Sequence, residues 1–155
     1  MPALVNISEI AFWFFITFGA ALIGSRYKPD QWYSRLNKPG WTPPGKLFAP
    51  VWILLYILMS IAAWLIWNKY GKIAAFQLGL YLIQLILNAA WTWLFFGLHR
   101  IRLAFVDILL LWSAILATLV TFWDLEPLAG LLLVPYMVWV SFAVFLNAAI
   151  LSLNS

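Results

Sequence analysis

Residues 47–68 read LFAPVWILLYILMSIAAWLIWN, a run of 22 residues without a charged side chain. A helix needs about 20 consecutive apolar residues to cross the hydrocarbon core of a bilayer. In lipid the backbone must satisfy its own hydrogen bonds, which leaves only a helix or a closed β-barrel. Barrel strands alternate polar and apolar residues with a period of two, and this run does not alternate. The run therefore predicts a transmembrane helix.

The rest of the chain repeats this pattern. Of its 155 residues, 66% are hydrophobic and 9% are charged, whereas soluble domains are about one quarter charged. We therefore predict an all-α fold, a single integral membrane domain over residues 1–155 that forms a bundle of five transmembrane helices. The predicted spans lie at about residues 4–25, 47–68, 73–98, 103–123 and 127–152.

Basic residues are distributed unevenly between the loops of such a bundle. One face would carry only Lys69 and Lys72. The other would carry Arg26, Lys28, Arg35, Lys38, Lys46, Arg100 and Arg102. The positive-inside rule predicts that the first loop and the C-terminus are cytoplasmic and the N-terminus is outside. Attraction to the membrane surface accounts for the net charge of +4, and we expect no nucleic-acid partner.

The first loop, residues 26–46, contains the stretch RLNKPGWTPPGK (35–46), with three prolines and a tryptophan. Proline fixes the backbone φ angle and lowers the entropy lost when a segment becomes ordered. We expect this loop to act as a stiff lid over a cavity between the helices. The alternative is that it is only a positively charged topology signal.

Eight of the eleven tryptophans fall into two groups. The first fits the belt of aromatic residues at the membrane interface. It comprises Trp13, Trp64, Trp67, Trp112 and Trp123. The second group recurs at helical spacing beside amides and small residues, and predicts three inward-facing stripes. They are Trp52 and Tyr56; Gln84, Asn88, Trp91 and Phe95; and Pro135, Trp139, Ala143 and Asn147.

These stripes have two interpretations. Amides are costly in hydrocarbon, so Asn88 and Asn147 should face the bundle interior. There they could hold helices together. Flat rings beside a few amides also suit a binding site for a flat, apolar ligand that forms hydrogen bonds. The residues alone leave both interpretations open.

Other residues support narrower expectations. We expect His99 to be a solvated loop residue and Asp107 to form an ion pair with Arg100 or Arg102. Pairs of small residues at Ala20–Gly24 and Ala75–Gly79 permit close helix packing. The second pair predicts a homodimer through the helix at 73–98. The sequence shows no metal-binding cluster and no pairing of a nucleophile with a base, so we expect no required cofactor and no hydrolytic chemistry.

Three stretches together resemble the translocator protein family, whose bacterial members are called tryptophan-rich sensory proteins. They are WYSRLNKPGWTPPG (32–45), LNAAWTWLFF (87–96) and VPYMVWVSFAVFLN (134–147). The resemblance covers the whole chain and implies a multi-pass protein of a bacterial cell membrane. It also implies a ligand pocket between the helices, capped by the first loop. Protoporphyrin IX and drug-like lipophilic molecules would be its ligands, alongside membrane lipid.

The resemblance assigns roles to individual residues. The cap would include Tyr33, Trp41 and Pro43. The walls would include Trp52, Tyr56, Asn88, Trp91, Phe95, Trp139 and Ala143, to which the stripe on the last helix adds Asn147. The C-terminal sequence FLNAAILSLNS lacks the Tyr and Arg of the family's cholesterol motif, so cholesterol binding is doubtful.

The resemblance leaves several functions open. The leading hypothesis is a receptor or binding protein for porphyrins, involved in tetrapyrrole handling or stress sensing. A second is an enzyme that degrades protoporphyrin IX with light and oxygen, in which Trp52 and Trp139 would be the reactive pair. A third is a scaffold that acts through partner proteins. A transporter is less favoured because no charged group lies in mid-membrane.

Overall fold

A computed structural model of the chain describes residues 5–155. Every regular element in that part of the chain is helical, which confirms the predicted fold class. The helices are α1 (Ile7–Gly24), α2 (Gln31–Arg35), α3 (Gly45–Tyr70), α4 (Ala75–Thr92), α5 (Ile101–Leu125) and α6 (Pro127–Leu153). A 3-10 turn, Gly71–Ala74, joins α3 to α4, and a π-helical turn, Trp93–Gly97, extends α4.

Local chemistry sets several of these boundaries. Asn6 caps α1, because its side chain accepts a hydrogen bond from the Ser8 backbone N–H at 3.1 Å. Leu4, where the first span was predicted to begin, lies outside the described residues. Pro127 takes the first position of α6, where its missing N–H costs nothing.

The helical stretch from Gly45 to Gly97 contains 53 residues and is apolar enough to span a membrane. Unbroken, it would be about 80 Å long, far more than the roughly 30 Å of a bilayer core. Gly71, with φ of 53°, reverses the chain. As a result the Tyr56 hydroxyl donates to Asn88 Oδ1 at 2.9 Å. With α1, α5 and α6, the protein has five membrane-spanning helices.

The five long helices form a closed ring in the order α3, α1, α4, α5, α6. Helix association in lipid depends on close packing and on hydrogen bonds between helices. Both occur where α1 meets α4. A Cβ added to Gly24 would lie 3.0 Å from Thr92 Oγ1, and Thr17 hydrogen-bonds to the Tyr81 hydroxyl. The Ala20–Gly24 pair therefore serves packing within the bundle.

The bundle is packed tightly at the end away from the first loop. Met59, Ile66, Tyr81 and Phe122 are fully buried there. Trp13 is only 4% exposed, with its ring centroid 6.2 Å from that of Trp67 and 5.9 Å from that of Tyr81.

The predicted place of Trp13 in the interfacial belt is therefore wrong. Its indole fills the space where α1 crosses α3 and α4. Trp64, Trp67 and Trp112 are half-buried, and Trp112 Nε1 donates to Ser141 Oγ at 2.8 Å. Trp123 is 45% exposed, as the belt requires.

The predicted ion pair of Asp107 is also absent from residues 5–155. Asp107 is 7% exposed, whereas Arg102 is exposed. Five residues correspond to about 140° around an α-helix, so the two side chains leave α5 in different directions. Asp107 turns into the bundle and Arg102 turns to the surface.

Candidate ligand-binding cavity

The half of the bundle next to the first loop is hollow. All five long helices and the first loop line a cavity of about 750 Å³, which lies within the usual range for small-molecule sites, about 300–1,000 Å³. Ten of the eleven residues predicted for a binding site are in its wall. They are Tyr33, Pro43, Trp52, Tyr56, Asn88, Trp91, Phe95, Trp139, Ala143 and Asn147.

Aromatic rings form two walls of this cavity. On the side of α3 and α6, the rings of Trp52 and Trp139 are 6.5 Å apart and perpendicular. On the side of α4, Trp91 and Phe95 stack at 5.0 Å with 23° between their planes. Edge-to-face and stacked pairs at these distances stabilise one another, so both walls are rigid apolar surfaces.

A buried hydrogen-bond network connects α3, α4 and α6 at the deep end. Asn88 Oδ1 accepts from the Tyr56 hydroxyl, and Asn88 Nδ2 donates to the Tyr136 hydroxyl at 2.7 Å. The Tyr136 hydroxyl in turn donates to Gln84 Oε1 at 2.8 Å. Asn88 and Gln84 therefore hold helices together, which supports the first of the two interpretations of these amides. Tyr136 and Gln84 lie outside the cavity wall.

Asn147 differs from Asn88 because one of its two amide atoms has no hydrogen-bond partner within residues 5–155. Its Oδ1 accepts from Trp91 Nε1 at 2.9 Å, which fixes the indole against the wall. Its Nδ2 is buried and has no partner within the part of the chain that the structure describes. Buried polar atoms in proteins are nearly always paired. Asn147, a residue of the cavity wall, thus carries a buried donor that has no partner within residues 5–155.

His99 attaches the first loop to the bundle. The π-helical turn ends α4, and His99 then adopts a positive φ of 55°. Its imidazole stacks on Trp32 of α2 at 4.1 Å, and its Nε2 lies 3.0 Å from Asp30 Oδ2. The other Asp30 oxygen caps α2 by accepting from the Tyr33 backbone N–H.

These contacts have an electrostatic consequence. The Tyr33 N–H, and then the hydrogen bond and charge of His99, hold the pKa of Asp30 below its usual value of 3.8. The carboxylate is therefore ionised at neutral pH. His99 is an exposed loop residue, as expected from the sequence, and in addition it forms a tertiary contact of the loop.

The C-terminus holds the loop at a second point. The Asn37 backbone N–H donates to Asn154 Oδ1 at 3.0 Å, and Asn154 Nδ2 donates to the Asn37 carbonyl at 2.8 Å. Next to this pair, Lys38 Nζ donates to the Tyr33 carbonyl at 2.7 Å. Lys28 and Lys38 are the two basic residues of the loop that line the cavity.

Trp41 is not in the cavity wall, which differs from the expectation that it covers the site. Its ring packs edge-on against Phe142 at 5.6 Å, and the residue is 50% exposed. Thr42 and Pro43 line the cavity instead. The Asn37–Asn154 contact fixes the loop just before Pro39, and Trp41 then packs against α6 rather than over the cavity.

Sequence periodicity missed several residues of the wall. Phe96 is one, because a 3.6-residue period places only Phe95 inward, whereas the π-helical turn brings both rings to the cavity. The other aromatic residues that were missed are Phe18 of α1, Tyr27 of the first loop and Phe48 of α3. Phe18 lies four residues after Phe14 in an α1 sequence that is apolar on all sides, so no periodic signal marked it.

A ring of five membrane-spanning helices, hollow at one end and closed there by a tethered basic loop, defines an integral membrane protein with an internal cavity. The sequence model of the TspO/MBR family matches residues 10–153, and the chain belongs to this family.

Relatives from bacteria and from mammals share most of the chain. It is 38% identical to "Protein CrtK" of Rhodobacter capsulatus, over 97% of this chain and 95% of the relative. It is 40% identical to a "Tryptophan-rich sensory protein" of Cereibacter sphaeroides, over 90% of each. It is 41% identical to the human "Translocator protein", over 81% of this chain and 78% of the relative.

Proposed function

We propose that this protein is a membrane receptor for porphyrins, with protoporphyrin IX as ligand, and for other flat lipophilic molecules. The observation that carries the proposal is the cavity of about 750 Å³ with aromatic walls on α3, α4 and α6. A flat macrocycle can stack on such walls, and stacking on a buried aromatic residue is worth about 1–3 kcal/mol.

Polar groups around the cavity match the rest of a porphyrin. Lys28 and Lys38 lie at the mouth, where they would meet the two propionates. Lys38 is already bound to backbone carbonyls, so Lys28 has the freer ammonium group. Asn147 would donate from Nδ2 to an acceptor atom of the ligand.

Basic residues also support an orientation of the protein in its membrane. Seven basic residues lie on the face of the first loop and two on the other face, which supports a cytoplasmic first loop by the positive-inside rule. Relatives in bacteria support a cell membrane. Porphyrin would then enter from the cytoplasmic side.

Photo-oxidative breakdown of the porphyrin would use the same bound state. Trp52 and Trp139 are close enough to contact one macrocycle, with ring centroids 6.5 Å apart. Binding is the step that both functions share, so it is the step to test first.

The test compares protoporphyrin IX with its dimethyl ester, which lacks the carboxylate charges. We expect the wild-type protein to bind the free acid about 2- to 5-fold more tightly, the range of a partly exposed ion pair. The Lys28→Gln variant should lose much of this preference. Lys46→Gln, a basic residue of the same face outside the cavity wall, should keep it. Equal affinity of the wild type for both compounds would contradict the proposed position of the propionates.

A further inference from the structure

A buried carboxyl group lies behind the cavity wall, on α5. Asp107 is 7% exposed, and its Oδ2 has no hydrogen-bond partner within residues 5–155. Asp107 does not line the cavity, although Ile108 and Leu111 of the same helix do. A buried acceptor without a donor is costly. Its retention at this position points to a task that the ligand contacts described above do not include.

The elements around α5 offer Asp107 no charged partner. This helix packs against α4, the π-helical turn and α6, and none of these three elements contains a charged residue. Their titratable side chains are Tyr81 and Tyr136. Both hydroxyls already form hydrogen bonds with other side chains. A partner for Asp107 must therefore be a neutral hydrogen-bond donor.

Such a donor lies at the same height on α6. Trp112 of α5 donates to Ser141 of α6 at 2.8 Å, which fixes the register of these antiparallel helices. Toward the first loop, Asp107 is five residues from Trp112, and Asn147 is six residues from Ser141. These separations correspond to about 7.5 and 9 Å along the helices. Asn147 is also buried, and its Nδ2 is the unpaired donor described above.

The hydrogen bond between Trp91 and Asn147 runs past the inner side of Asp107. Because α5 lies between α4 and α6 in the ring, the bond from Trp91 Nε1 to Asn147 Oδ1 spans the inner side of α5. Trp91 is six residues before the end of the π-helical turn at Gly97, and Asp107 is six residues after the start of α5 at Ile101. The three side chains therefore share one level of the bundle.

We propose that Asp107 is a positioning residue for the aromatic wall on α4. Its carboxyl oxygen accepts from Asn147 Nδ2 after rotation about the terminal torsion of either side chain, which is broad for Asp and Asn. The amide then presents Oδ1 to Trp91 Nε1, whereas a flipped amide would set one donor against another. Nδ2 carries two N–H groups, so this bond does not exclude a bond to a ligand. The effect on ligand binding rests on the function proposed above, but the effect on Trp91 does not.

The test measures hydrogen exchange of the Trp91 indole N–H by NMR of the isotope-labelled full chain in micelles. The signal is identified by its loss in Trp91→Phe. Asp107→Leu and the smaller Asp107→Ala both lack the acceptor, and either should accelerate exchange about 2- to 12-fold. Asp107→Asn keeps an acceptor oxygen and should stay within about 2-fold of the wild type. This difference separates a hydrogen bond from a role in filling space or carrying charge.

Two further variants identify the route of the effect. Asn147→Leu should accelerate exchange by itself, and adding Asp107→Leu should change nothing more, because Asp107 acts through Asn147. Thr118→Val removes a buried hydroxyl of α5 that bonds within its own helix, and it should leave exchange unchanged. Wild-type exchange in both Asp107→Leu and Asp107→Ala would overturn the proposal. So would equal losses in Asp107→Leu and Asp107→Asn, or additive effects in the double variant.

Protoporphyrin IX binding gives a second readout. Asp107→Leu should weaken binding about 2- to 12-fold, and Asp107→Asn should not. If the wild type binds no porphyrin while the exchange rates change as expected, the proposed function fails and the positioning role of Asp107 stands. If the wild type binds porphyrin while the exchange rates of all variants match, the positioning role fails and the proposed function stands.

Discussion

At the scale of single residues, His99 joins two parts of the chain that are distant in sequence. Its ring stacks on Trp32 and its Nε2 meets the carboxylate that caps α2. The residue needs a positive φ, which few non-glycine residues adopt readily, Asn and Asp among them. The sequence offered no sign of this role, because a single histidine beside an arginine is ordinary in a loop. The contact depends on where α2 lies in space.

Replacing His99 should loosen the first loop without unfolding the bundle. His99→Asn keeps a residue that tolerates positive φ but loses the stack on Trp32. An aromatic pair contributes about 0.5–1.5 kcal/mol, so we expect bound protoporphyrin IX to dissociate about 2- to 12-fold faster in stopped-flow measurements. Arg35→Asn, an exposed change within α2, should leave the rate unchanged. An unchanged rate in His99→Asn would mean that the loop does not limit release.

This contact also has a defined pH dependence. Because the folded-state pKa of Asp30 lies below 3.8, its stabilising contribution is fully present above that value. It is lost as pH falls through the lowered pKa. Release from the wild type should therefore accelerate only at strongly acidic pH.

At the scale of helices, the network of Tyr56, Asn88, Tyr136 and Gln84 fixes how α3, α4 and α6 face one another. The inward stripe on α4 was predictable, because amides at i and i+4 must avoid lipid. Their partners were not predictable, since Tyr136 belongs to a helix that is apolar all round. Short α2 was missed for a different reason. Five residues do not form a stable helix alone, and its Asp30 cap and aromatic contacts hold it in place.

Removing the central amide should destabilise the bundle. Asn88→Ala leaves the Tyr56 hydroxyl without its acceptor and the Tyr136 hydroxyl without its donor. We expect the free energy of unfolding in mixed micelles to fall by about 1–3 kcal/mol. Asn68→Ala, near the end of α3 and outside this network, should change it by less than about 0.5 kcal/mol. Similar losses in both variants would show that the network contributes nothing specific.

At the scale of the whole molecule, the bundle is packed solid at one end and hollow at the other. The number of spans could be predicted from the charge-free runs in the sequence, and the stiff first loop could be predicted from its prolines. The inward position of Trp13 could not, because it requires knowing that α1 lies between α3 and α4 in the ring. Ring order is set by packing and hydrogen bonds between helices, which hydropathy does not encode.

The most direct test of the central claim is a tryptophan-quenching titration with protoporphyrin IX on two matched variants. Trp139→Ala removes one aromatic wall of the cavity, and Trp123→Ala removes an exposed tryptophan at the other end of the bundle. Loss of one stacking surface costs about 1–3 kcal/mol. Trp139→Ala should therefore bind roughly 5- to 150-fold more weakly, while Trp123→Ala should stay within about 2-fold of the wild type. Equal losses in the two variants would place the porphyrin on the lipid-facing surface and contradict binding in the cavity.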